Sequence, residues 1–276
     1  MGNKVSASTL ALQGLEVLIT RPSNQSGEWQ TALEAGGAKT RLAPMLEIEP
    51  VEDKAGRQAI KDKILELDQY HSAIFVSQNA VTYACQWIDQ YWPQLPVGIN
   101  WLAVGGKTGE LLQSEGFDAK AADRAMNSET LLELNCLKSL NLQKILIFRG
   151  CGGRPLLGQV LQERGASVDY CEMYHRVLPQ EAKHRLESLE WSRDSEPLLS
   201  AHSGESLKNL RDCLPAASAQ HWLAIPVLVP GGRVAEQARE AGFTRVISAE
   251  NATTHSMLQA LVRWRQSNLD GKRNSL

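Results

Sequence analysis

Short apolar runs alternate along this chain with polar turns and with segments whose apolar residues recur every three or four positions. Residues 17–20, 40–46, 71–76, 101–104, 145–148, 168–173, 198–201, 224–229 and 245–248 are short and apolar, and read as strands. Helices are expected between them. One runs from Arg21-Pro22-Ser23 to Gly36-Gly37, one covers 59–67, and one follows Ser77-Gln78-Asn79 with Val81, Ala84, Cys85 and Ile88 on a single face. Others run from Gly105-Gly106-Lys107-Thr108 to Gly116, over 126–137, from Pro155 to Gly165, and over 180–190. The last three follow Ser203-Gly204-Glu205, follow Gly231-Gly232-Arg233, and span 257–264 before a polar tail expected to be mobile. Alternation of this kind predicts an α/β protein with parallel sheets flanked by helices.

The pattern repeats. Laid 128 positions apart, VLITRPSNQSGEWQTALEAGGAKTRLAPM from Val17 matches ILIFRGCGGRPLLGQVLQERGASVDYCEM from Ile145, pairing Arg21 with Arg149, Gly37 with Gly165 and Met45 with Met173. Laid 126 apart, LAVGGKTGELLQSEGF from Leu102 matches LVPGGRVAEQAREAGF from Leu228, pairing Gly105 with Gly231, Gly106 with Gly232 and Lys107 with Arg233. The same offset sets Ser77 against Ser203, each between an apolar run and a helical pattern. Two related halves of roughly 125 residues fit the usual length of two domains. The polar stretches 47–52 and 174–178 read as crossings between two bodies.

Bulk properties narrow the function. The chain has 276 residues, 43% of them hydrophobic, enough to bury two ordinary cores. A formal charge of −2 without a long basic run argues against broad nucleic-acid binding. No apolar stretch suits a membrane span, and the first residues lack the sustained apolar core of a signal peptide, so cytoplasm is the default expectation. Five widely spaced cysteines with no CxxC read as reduced thiols, and six histidines without ligand spacing give no metal site.

In parallel sheets ligands bind where strands end and helices begin, since backbone N–H groups and helix dipoles converge there. The candidates are therefore Thr20, Arg21 and Ser23; Ser77 and Asn79; Gly105, Gly106, Lys107 and Thr108; Arg149, Gly152, Gly153 and Arg154; Ser203; and Gly231, Gly232 and Arg233. Small residues, hydroxyls and a basic residue in four of the six loops suit carboxylates or phosphates. The bland alternative is that the glycines only permit turns and the basic residues are solvated. Gly150-Cys151-Gly152-Gly153-Arg154-Pro155, followed by Asp169 and Glu172, is close to a dinucleotide fingerprint, but its third glycine position falls on Pro155. No GxSxG, HExxH or GKS/T phosphate loop is present. Tyr174, beside the second crossing, is a phenol placed to face a cleft, or else an ordinary half-buried strand-end tyrosine.

In order along the chain, ITRP, FVSQNAV, AVGGKTGELL with a following GF, RGCGGRPLLGQVLQERGASV, and a closing Gly-Phe with Thr-Thr-x-x-x-Leu together resemble uroporphyrinogen-III synthases, over roughly residues 15–261. The resemblance implies two α/β domains joined by a two-stranded linker near 47–52 and 174–178, with a cleft between them. The first would be discontinuous, 1–48 with 176–276, and the second would span 49–175. It implies cofactor-free cyclisation of hydroxymethylbilane to uroporphyrinogen III, with inversion of the last pyrrole ring and loss of water. The family's cleft tyrosine falls on Tyr174, its Gly-rich-turn hydroxyl on Thr108 and its strand-end serine on Ser77. Where many members have Gly-Pro-Thr-Thr, this chain has Pro230-Gly231-Gly232-Arg233-Val234, which makes Arg233 the substitute contact. Hydroxymethylbilane is the expected partner, with a transient contact to the preceding pathway enzyme, and a monomer is expected. Readings from other classes are a cytoplasmic two-domain polycarboxylate-binding protein without catalysis, an exported solute-binding protein, and a Rossmann oxidoreductase.

Overall fold

The computed structural model describes residues 11–119 and 128–273. Its first elements are β1 (Leu15–Ile19), α1 (Gly27–Ala35), β2 (Lys39–Leu42), β3 (Glu47–Pro50), α2 (Lys54–Leu65), β4 (Ser72–Phe75), α3 (Gln78–Tyr91), β5 (Asn100–Ala103), α4 (Gly106–Ser114) and α5 (Ser128–Leu132). There follow β6 (Lys144–Gly150), α6 (Leu156–Glu163), β7 (Ser167–Val177), α7 (Ala182–Glu187), β8 (Glu196–Ser200), α8 (Gly204–Cys213), α9 (Ala219–Ala224), β9 (Val227–Pro230), α10 (Gly231–Glu240), β10 (Val246–Ala249) and α11 (Thr254–Arg273). The chain divides into two compact units. Unit 1 takes residues up to Glu47 together with those from Val177, and unit 2 is Ile48–Arg176.

Unit 1 holds a sheet of order β10-β9-β8-β1-β2 and unit 2 one of order β3-β7-β6-β4-β5. The sequence repeat maps one onto the other. It equates β1 with β6, β2 with β7, β8 with β4 and β9 with β5, so β9-β8-β1-β2 in unit 1 answers to β5-β4-β6-β7 in unit 2. All these neighbours run parallel. A lone parallel bridge between Trp101 and Ala119 stands beside β5 where β10 stands beside β9.

The inner strands of both sheets are buried on both faces, as expected of a helix-covered parallel sheet, while the edge strands β2 and β3 are partly or largely exposed. In unit 2, Leu146 and Phe148 pack with Ala73, Phe75 and Met173 on one face, while Ile145 and Ile147 pack with Ile74, Leu102 and Leu161 on the other. Phe75 and Phe148, opposite each other in register, stack with ring centroids 4.6 Å apart. In unit 1, Leu18, Leu199 and Val227 face Leu207, Leu210 and Val234, and Val17, Ile19 and Leu198 face Trp29, Leu33 and Met257.

Several elements depart from expectation. The strand expected over 40–46 ends at Leu42, because Pro44 has no N–H for the ladder; Ala43 and Met45 still donate to Ile19 and Thr20. The strand expected from 224 begins at Val227, since Ala219–Ala224 is a helix burying Trp222 and Leu223, and Ile225 before Pro226 turns extended. Residues 126 and 127 of the expected helix 126–137 lie outside the described residues; the helix stops at Leu132 and a 3₁₀ turn follows at Asn135–Leu137. The tail expected to be mobile continues α11 as far as Arg273. No proline interrupts it, and buried Arg265 ties the helix to Glu196 at 2.5 Å and to the Gln13 carbonyl.

Candidate functional site

In unit 2 the loops after β4 and β6 meet at Tyr174. A register shift between Arg149 and Gly150 sets Gly150 opposite Tyr174, so the bulge re-aims the last turn of β7. The Tyr174 ring then lies over the Gly150 backbone: a Cβ there would meet Cε2 at 2.6 Å, so only glycine admits the ring. Tyr174 is 3% exposed, and its ring centroid is 6.0 Å from that of Tyr83. Its hydroxyl lies 2.9 Å from Ser77 Oγ. That same oxygen accepts the Ala80 N–H at 3.1 Å and so caps α3. Asn79 stands in the first turn of this helix.

The glycine-rich turn after β5 is entered through Gly105, at φ +91°, and Thr108 is buried behind it, its N–H donating to the Gly105 carbonyl. Lys107 is exposed.

The loop from Arg149 to Arg154, expected to take an external anion, is occupied by the chain itself. Buried Arg149 donates to the Gly150 and Gly153 carbonyls and lies over the Tyr170 ring, 4.5 Å from its centroid. Glu172 supplies the anion: it accepts the Gly152 N–H at 3.2 Å and stands 3.6 Å from Arg149 Nε. Arg149 and Gly152 are therefore loop-building groups, and a pyrophosphate there would have to displace a carboxylate. Gly153 packs against the Arg149 guanidinium, while Arg154 is exposed. Beside this loop Cys151 Sγ and His175 Nε2 are 3.9 Å apart, but burial and the Glu172 charge raise the thiol pKa above its ordinary value, which disfavours the reactive thiolate.

Unit 1 repeats the frame with different side chains. Ser203 caps α8 through the Ser206 N–H at 3.0 Å, with the same extended backbone as Ser77. Its other neighbour is the Ser206 hydroxyl rather than a phenol. Gly231 has φ +69° and answers to Gly105; Gly232 and Arg233 are exposed, and Val234, in the place of Thr108, is core. Thr20 is buried and its hydroxyl donates to the Ser200 carbonyl, so it locks β1 to β8. Ser23 is exposed at the start of a 3₁₀ turn.

Arg21 differs from its counterpart Arg149. Its Nε is buried with no hydrogen-bond partner, and burial holds its pKa below the ordinary value, the Glu28 charge opposing this only in part. Both ring nitrogens of His202 are likewise buried without a partner. Neither Glu172 as an internal anion nor His202 was singled out by motif. Their signal lies in the repeat, which places Pro44 against Glu172 and Val76 against His202.

A model of the family "Uroporphyrinogen-III synthase HemD" matches residues 27–259. A uroporphyrinogen-III synthase of Salmonella typhimurium is 34% identical over 255 residues, covering 90% of this chain and 100% of the relative. One from Escherichia coli is 32% identical over 258 residues, with 90% and 100% covered. Among solved structures, a mutant uroporphyrinogen III synthase from the extremely thermophilic bacterium Thermus thermophilus aligns with TM-score 0.57 at 19% identity, over 92% of this chain and 99% of that one. A uroporphyrinogen-III synthetase from Helicobacter pylori gives 0.56 at 15%, over 91% and 99%. These two likenesses are of fold. With a family model spanning most of the chain and relatives about a third identical along their whole length, the chain belongs to the uroporphyrinogen-III synthase family.

Proposed function

We propose that this protein closes the linear tetrapyrrole hydroxymethylbilane into uroporphyrinogen III, with Tyr174 helping the hydroxyl to leave and the strand-end loops holding the substrate's carboxylates. The observation that carries this reading is the family match along the chain. Pyrrole is electron-rich, so its nitrogen lone pair expels the hydroxyl once that oxygen gains a proton. The products of this step are water and an azafulvene. The terminal ring attacks the azafulvene carbon through its substituted position to give a spiro intermediate. Its old bridging bond then breaks and re-forms at the free position, inverting the ring, and the proton released there returns to the phenoxide left on Tyr174, closing the cycle. Water is the only net product besides the macrocycle.

Little strong acid or base is needed, and the main task is to hold a reactive folded chain. In this reading Ser77, already accepting the Ala80 N–H, donates its own hydrogen to the Tyr174 oxygen. The phenol O–H is then left for the departing hydroxyl, and the charge developing on the phenol oxygen is offset by a donor. Arg21, Ser23, Ser203, Arg233, Lys107, Arg154 and the turns at Gly105-Gly106 and Gly231-Gly232 are the carboxylate contacts, while Asn79 and Thr108 line the first turns of their helices. Thr20, Arg149, Gly152 and Gly153 serve by shaping loops.

The test is to supply freshly generated hydroxymethylbilane and separate the oxidised products by ring isomer. Predominance of isomer III is expected, because spontaneous closure does not invert the ring and yields isomer I. Isomer I alone, from folded protein, would leave only the fold in common with the family. We further propose that the protein works in the cytoplasm as a monomer, meeting the preceding pathway enzyme transiently. Five free cysteines suit a reducing compartment.

A further inference from the structure

We infer that Arg21 and His202 together form a receptor for one carboxylate of the ligand in unit 1. This rests on the proposed function for the identity of the ligand, and on geometry for the site. Among the described residues five buried side-chain polar atoms have no hydrogen-bond partner, and three of them belong to this pair. Buried donors and acceptors are nearly always satisfied, so such a concentration points to a ligand.

The two residues are neighbours by construction. Ile19 at the end of β1 is in register with Ser200 at the end of β8, and Arg21 and His202 each lie two positions beyond. Trp29 of α1 walls the site, its ring edge against the imidazole with centroids 5.3 Å apart. The indole N–H is already given to Ser200 Oγ, which in turn donates to the Leu18 carbonyl, so this wall is rigid and does not compete for the ligand.

The repeat supplies the chemical class. In unit 2 the equivalent arginine, Arg149, has the Glu172 carboxylate beside it. At the position equivalent to Glu172, unit 1 has Pro44. The carboxylate that unit 2 carries at this position is thus absent from the matching position of unit 1, where Glu28 of α1 offsets the burial of Arg21 only in part and a histidine replaces Val76 as a second donor. A carboxylate fits both, accepting from the guanidinium and from one imidazole N–H.

The charge acting on the His202 ring is that of Arg21; Trp29 from α1 is neutral, and Glu28 from α1 acts on Arg21. Burial first, and then the Arg21 charge, push the imidazole down to about 3, so it is neutral at physiological pH. A carboxylate would offset the cation and favour the imidazolium. Ligand binding should therefore raise the His202 pKa.

The experiment is an NMR pH titration of the histidine Cε1–H signals in the full chain. The His202 signal is assigned by its loss in His202→Gln, and propane-1,2,3-tricarboxylate and inorganic phosphate serve as probes. A rise of at least about one unit with the tricarboxylate, abolished in Arg21→Gln, is expected. An unmoved His202 would overturn the site, and an equal rise with phosphate would overturn the assignment to carboxylate. In turnover, Arg21→Gln should raise KM for hydroxymethylbilane about tenfold while the product remains isomer III; an unchanged KM would count against the receptor. The two readings fail separately. A His202 shift in a protein that makes only isomer I removes the synthase and keeps the receptor, whereas isomer III with no shift does the reverse.

Discussion

At the scale of single residues, the site depends on which polar atoms the fold leaves free. Tyr174 is seated against Gly150, and its hydroxyl meets the Ser77 hydroxyl. Tyr174→Phe keeps that packing and removes only the acid. We expect turnover to fall by about a hundredfold with stability lowered by about 1 kcal/mol. Undiminished turnover with isomer III as product would mean that positioning alone suffices. Glu16 shows the opposite case, a carboxylate fully committed to structure. It is 1% exposed and joins β1 to β2 and to the loop before β8 through Arg41, the Ser192 N–H and the Ser195 hydroxyl. Burial alone would raise its pKa, but hydrogen bonds from Ser195, Arg41 and Ser192 outweigh this and hold it at about 2, against an ordinary 4.5. A depressed carboxylate stabilises the fold above its unfolded pKa and ceases to do so as the folded value is approached. Unit 1 should therefore lose about 2 kcal/mol between pH 4.5 and 2, allowing for the half-exposed Arg41. Urea titrations across that range should show the loss in the wild type and not in Glu16→Gln, which should be less stable at neutral pH.

At the scale of elements, the strand-to-helix junctions are the most regular feature. Ser77 and Ser203 cap α3 and α8 with nearly equal geometry, at 3.1 and 3.0 Å. These caps and the glycines at positive φ could be expected from sequence, because each depends on residues within one turn. Strand ends were less legible where a proline intervened, as at Pro44 and Pro226, and the extent of α11 was missed because its last turns carry no apolar periodicity. Leu142 marks a strained junction before β6. It is 95% exposed at φ +62°, the one non-glycine residue at positive φ among the described residues. Leu142→Gly or Leu142→Asn should stabilise the protein by up to about 1 kcal/mol, seen as a raised urea midpoint with unchanged slope. A lower midpoint in both variants would contradict the strain.

At the scale of the whole chain, the sequence halves are not the structural units. The repeat runs β1, β2, β4, β5 and then β6, β7, β8, β9, but the sheets combine β1 and β2 with β8 and β9, and β4 and β5 with β6 and β7. Contact order differs accordingly: unit 2 is one continuous segment, and unit 1 closes only when the C-terminal part returns. We expect a chain limited to residues 48–176 to fold cooperatively, since its sheet lies within it but for the outermost residue at either end, whereas residues 1–125 should not. Circular dichroism with urea unfolding distinguishes them, and a cooperative transition in the 1–125 fragment would argue against the division.

The sequence by itself determined the α/β alternation, the repeat, the polar strand-end loops and the family. All of these depend on periodicity and short spacings, which the chain carries locally. Tertiary structure decided which loop groups are available. Arg21 and Arg149 stand at equivalent positions in matching loops, yet Arg149 is bound by Glu172 and by its own loop carbonyls, while the charge of Arg21 acts across a sheet register on His202, whose ring meets Trp29. Likewise Tyr174 and Ser77 are 97 positions apart. Hydrogen-bond partners are chosen by the folded arrangement of distant segments, and so the chemistry of each loop was fixed only once the strands had been paired.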